Sequence, residues 1–147
     1  MDRGVAVALT AFAGGLVALQ APINSMLGKT IGTFAAATVS FVIGTIALAG
    51  ITVIAGGGLG EVGEARNLAW YYLTGGLLGA CYVTTVLVSV RTLGAGGVTA
   101  ATITGQLTAS VVIDRLGILG LEERPLSPLR ILGIVMLALG TFLVVRE

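Results

Sequence analysis

Five stretches of about twenty apolar residues, separated by short polar connections, constrain this chain more than any other feature. A helix needs about 20 mostly apolar residues to cross the hydrocarbon of a bilayer. Such runs lie at residues 5–27, 34–55, 70–90, 97–118 and 129–145. They account for most of the 147 residues and leave no room for a soluble domain. Charged residues confirm the class: they make up 10% of the chain, where a soluble domain carries about 25%. The expected fold is an all-α integral membrane protein, a single domain over residues 1–147 built as a five-helix transmembrane bundle. The first run exceeds the usual signal-peptide core of about 7–15 residues, and Pro22 after Ala21 makes a poor cleavage point. It is expected to stay as the first span.

Composition excludes several kinds of chemistry. Net charge is +1 and histidine is absent, so there is no basic footprint for nucleic acid and no histidine-based metal site. Cys81 stands alone and can form neither an intrachain disulfide nor a CxxC pair. There is no Ser-His-Asp set and no phosphate loop ending in Gly-Lys-Ser/Thr. "GAGGVTAA" lacks the preceding strand and the following acid of a dinucleotide site. The expected partners are therefore the lipid bilayer and a small molecule, with no nucleic acid, metal or cofactor, and no enzymatic activity.

The twenty-three glycines fit membrane helices, where small residues let backbones approach closely. On the fourth run Gly97, Ala101, Gly105 and Ala109 recur every four residues, and Gly75 and Gly79 do so on the third. These are read as packing seams.

The polar residues inside the spans are more informative. "LQAPINSML", residues 19–27, places Gln20, Pro22 and Asn24 within five residues near the end of the first span. At about 1.5 Å of rise per residue, Gln20 lies about 10 Å inside the membrane. Ser40, Tyr82 and Gln106 fall at about 9–14 Å from the same face. Four helices thus place a hydrogen-bonding group near one depth, where transporter sites occur beside broken helices. Pro22 lacks an N–H and frees the carbonyl of Ala18, so a kink is expected there. Gln20, Asn24, Ser40, Tyr82 and Gln106 are the expected substrate-binding set, with Pro22 shaping the wall. The rival reading is interhelical glue, worth about 0.6 kcal/mol per bond. No carboxylate lies in the first three spans. Asp114, followed by Arg115, is the sole acid inside a span and reads either as a boundary ion pair or as a gate or coupling group.

An odd number of spans puts the termini on opposite faces. Arg3, Arg66, Arg115, Arg124 and Arg130 then lie on the N-terminal face, and Lys29, Arg91 and Arg146 on the other. So thin a bias under the positive-inside rule favours a cytoplasmic N-terminus only slightly. It also allows insertion both ways, with two copies packing antiparallel.

The strings "GLVALQAPINSMLGKTIG", "SFVIGT", "WYYLTGGLLGACYV" and "TITGQLTASVVIDRLGILG", in that order, resemble the YdcZ family, a branch of the drug/metabolite transporter superfamily. The most specific positions are Asn24, the glycines 75, 76 and 79, and Gly105, Gln106, Asp114 and Gly117. The resemblance covers nearly the whole chain. It implies a small bacterial inner-membrane protein that forms a five-helix half of a ten-helix, inverted-repeat fold. The other half would be a second, inverted copy or a paralogue. The expected function is a secondary transporter, an exporter of small polar or amphipathic metabolites or drugs by alternating access. The alternative is a non-transporting membrane scaffold or accessory subunit.

Overall fold

The computed structural model describes residues 2–56 and 58–146. It contains α1 (Arg3–Ile31), α2 (Thr33–Ala55), α3 (Gly75–Leu116) and α4 (Pro128–Arg146), with 3₁₀ segments at Gly60–Asn67 and Trp70–Thr74. No strand occurs among the described residues. Each end has a local cause. Asp2 caps α1 by accepting the Gly4 N–H at 3.0 Å. Ser127 caps α4 by accepting the Arg130 N–H at 3.2 Å, and Pro128 takes the first helical position, where a missing donor does no harm.

The spans expected from the sequence shift in three places. First, α1 continues past Leu27 to Ile31, because an apolar run ends where water begins whereas a helix ends where its backbone is turned. Second, the aromatic run at Trp70–Thr74 forms a 3₁₀ segment, and the α-helix begins at Gly75. Third, the expected third and fourth helices lie in one 42-residue element, α3, about 63 Å long if it were straight. That is twice the ~30 Å hydrocarbon core. Gly94, at φ 67° and ψ 172°, breaks it into limbs at 75–93 and 95–116. Each limb is about one membrane crossing long, which makes five α-helical segments among the described residues.

The same backbone solution ends α1. Gly32, at φ 91° and ψ 153°, is the only residue between α1 and α2. Both glycines occupy a region of backbone space that is essentially closed to other residues. A Cβ at either would have nothing within 4 Å, so the demand is conformational and not one of space.

The chain divides into two compact units, Met1–Arg91 and Thr92–Glu147. In the first, Ala36 and Ala37 of α2 pack with Val83 and Leu87 of the first limb of α3, with Leu27 and Tyr82 against them. Small side chains on α2 let the helices close around Leu87, which is fully buried. In the second unit, α3 and α4 meet through threonines: Thr104 and Thr141 share a 2.6 Å hydroxyl bond, and Thr141 also donates to the Ala100 carbonyl at 3.0 Å. Most other apolar side chains face outward, among them Phe34, Ile54 and Leu129. Such a surface is stable only in hydrocarbon or against a protein partner.

Candidate functional site

Ala21, Asn24, Ser25 and Gly28 are the buried residues of α1. Spaced by three and four, they lie on one helical face, and that face is small and polar. Asn24 is 5% exposed, and its Nδ2 donates to Ser40 Oγ on α2 at 3.1 Å. Two of the expected site residues therefore meet directly, inside the α1–α2 hairpin. An amide in lipid needs such a partner, because hydrocarbon provides none.

The other members of the set are placed differently. Gln20 precedes Asn24 by one turn but is exposed. Pro22 is half-buried, and α1 runs through it as continuous helix. Tyr82 is half-buried against the alanine–leucine core of the same unit. Gln106, in the second unit, is exposed.

Asp114 is half-buried and accepts a hydrogen bond from Arg130 Nη1 at 3.3 Å, while its backbone carbonyl accepts the Arg124 N–H at 2.8 Å. Arg115 pairs with Glu123. These contacts tie the end of α3 to the polar connection and to the start of α4.

Of the small residues, Gly79 lies against Phe41, whose ring would be 3.4 Å from an added Cβ. Gly97 lies close to Leu93 and Val145, at 3.1 and 3.5 Å by the same measure. Gly75 and Gly105 have nothing within 4 Å, and Ala101 and Ala109 are exposed.

Each unit carries an open groove. That of the first, about 470 Å³, runs between α2 and α3 and includes Phe34, Thr38, Phe41, Thr45 and Thr84. That of the second, about 430 Å³, includes Leu93, Ala101, Thr141, Phe142 and Arg146. Neither is lined by Gln20, Asn24, Ser40, Tyr82 or Gln106. Sequence reading passed over the groove threonines because a hydroxyl in a membrane helix is usually satisfied locally. Thr38 does donate to the Phe34 carbonyl at 2.9 Å. The signal available was their shared face: residues 34, 38, 41 and 45 have helical spacing.

Sequence reading also missed the polar contact at the end of the hairpin. Arg91 Nη2 donates to Thr33 Oγ1 at 3.2 Å and lies over Gly28, 3.1 Å from where a Cβ would stand.

Residues 5–143 match the family described as "Putative inner membrane exporter, YdcZ". The match spans nearly the whole chain, and the protein belongs to the YdcZ family. With its long apolar helices, it is a multi-pass protein of the inner membrane, as that family description has it. No curated protein and no solved structure matches it.

Proposed function

We propose that this YdcZ-family chain is one subunit of a secondary transporter that exports small polar or amphipathic metabolites by alternating access. Its other half would be an antiparallel second copy or an inverted paralogue. The observation that carries this reading is the outward exposure of Gln20 and Gln106 within apolar spans. A primary amide facing hydrocarbon leaves several hydrogen-bonding positions empty, at several kcal/mol per unsatisfied group. The amides therefore meet either a second protein surface or a water-filled cavity, and a transporter assembled from two such chains supplies both. Polar groups placed inside membranes mark substrate pathways more often than they mark simple packing.

In this reading Gln20 and Gln106 exchange hydrogen bonds with substrate as the cavity opens. The Asn24–Ser40 pair holds α1 and α2 together behind Gln20, and Tyr82 contributes a ring and a hydroxyl. Asp114 serves as a boundary tie. A scaffold would keep the same amides dry inside a static interface.

Solvent access separates the two. Cysteine at position 20 or 106, in a Cys81→Ala background, should react with a water-soluble maleimide. Compounds that raise the melting temperature of the purified protein should protect it. Gln20→Leu and Gln106→Leu should abolish transport of those compounds while the protein stays folded. Unreactive cysteines, together with Leu variants that transport normally, would leave the scaffold reading in its place.

A further inference from the structure

The two single-glycine turns end the same four-residue pattern: Lys29-Thr30-Ile31-Gly32 and Arg91-Thr92-Leu93-Gly94, a cation, a threonine, a branched aliphatic residue and the turn glycine. In both, the cation stands three residues before a glycine in the same unusual conformation. In the first unit the second cation returns to the stretch of backbone that carries the first. Arg91 folds back over Gly28 and donates to Thr33, the residue just after the first turn. Lys29 directly follows Gly28 in the chain.

Two positive groups at one turn repel unless an anion lies with them, and the first unit provides none at that end. Its acids are Asp2, Glu61 and Glu64. Asp2 caps the far end of α1, and the two glutamates follow the far end of α2. Neither Lys29 nor Arg91 enters a salt bridge among the described residues. Both are exposed, and Lys29 lies just past Leu27, where the apolar run of α1 stops. Long cationic side chains near the end of a membrane helix reach toward the headgroups.

From this we infer that the Gly32 turn is a binding site for the phosphate of an anionic phospholipid, held between Lys29 and Arg91. Thr33 holds the guanidinium through Nη2, which orients its plane and leaves Nη1 and Nε as donors for phosphate oxygens. Lys29 supplies the second charge as a more mobile point cation. The acyl chains would lie along the outward apolar surface of the hairpin. This site is separate from the transport reading and holds whether or not the chain transports.

The test uses the full-length chain in nanodiscs of phosphatidylcholine with and without phosphatidylglycerol. It reads melting temperature and, after release, the lipid retained in native mass spectrometry. Phosphatidylglycerol should be retained and should raise the melting temperature. Lys29→Gln and Arg91→Gln should each weaken retention about fivefold, and the double variant about twentyfold or more, given the worth of one cation near an anionic surface. Arg91→Lys, which keeps the charge and is the safer substitution for folding, should recover only part of the loss. Thr33→Val should weaken retention by releasing the fork, and Arg66→Gln, beyond the far end of α2, should change nothing. Unchanged retention in the Lys29→Gln/Arg91→Gln variant would overturn the proposal. So would inorganic phosphate giving the same rise in phosphatidylcholine discs, because the site would then serve a soluble anion.

Discussion

The first unit holds its helices by burying residues, and the second holds them at the rim. Residues 2–91 have a packed cluster around Leu87 and a buried amide–hydroxyl pair, Asn24–Ser40. Residues 92–146 have two buried valines, Val98 and Val111, one threonine pair and two ion pairs beyond the helix ends. The turns differ in the same way. α1 and α2 are joined by one glycine, whereas α3 and α4 are joined by a polar segment tied down through Asp114, Arg124 and Arg130. In lipid no hydrophobic force drives helix against helix, so close packing and interhelical bonds must do it.

That contrast can be broken most severely at Leu87. Leu87→Ala opens a cavity in the one well-packed cluster and should destabilise the protein by about 2–5 kcal/mol. Val98→Ala in the second unit removes less side-chain volume and should cost well under half of that. Thermal melts of the two variants in detergent would show it. Equal losses would mean that the two units are packed alike.

The turn glycines give the next effect. Gly32→Ala and Gly94→Ala each force a Cβ into a backbone region worth about 1–3 kcal/mol of strain. The two losses should be alike, because the dihedrals fall in one region. A neutral Gly94→Ala would mean that the limbs of α3 tolerate a different break.

Asn24→Ala should cost about 1–2 kcal/mol, because Ser40 is left without its partner in a nearly dry site. Thr141→Val in the second unit should cost only about 0.6 kcal/mol, the usual worth of a side-chain bond between membrane helices. A double-mutant cycle of Asn24 with Ser40 gives the coupling directly; a coupling near zero would remove the pair from what distinguishes the units.

The smallest effect belongs to Asp114. Asp114→Asn removes a half-exposed ion pair and should lower stability by no more than about 1 kcal/mol, with the pH profile of transport unchanged. A flattened pH profile would instead make Asp114 the coupling group and the second unit the seat of energy conversion.

Much of the architecture was legible in the sequence because lipid imposes a simple rule. Each crossing takes about 20 apolar residues, and α2 and α4 fall within a residue of the runs that encode them. Helix ends were less legible: Gly32 and Gly94 act through a backbone angle that no apolar count records.

The site divides along the same line. The amino-acid sequence by itself determined that Gln20, Asn24, Ser40, Tyr82 and Gln106 lie inside spans, because depth follows from rise per residue. Only the tertiary structure decided which of them are paired. Asn24 is covered and bonded to Ser40, while Gln20, one turn away on nearly the same face, is left exposed. Arg91 comes to rest on Gly28 and Thr33, far from it along the chain. Depth is a property of one helix, whereas partnership depends on how neighbouring helices are rotated about their axes. Ala36 and Ala37 of one helix meet Leu87 of another in just such a fit, which no single helix contains.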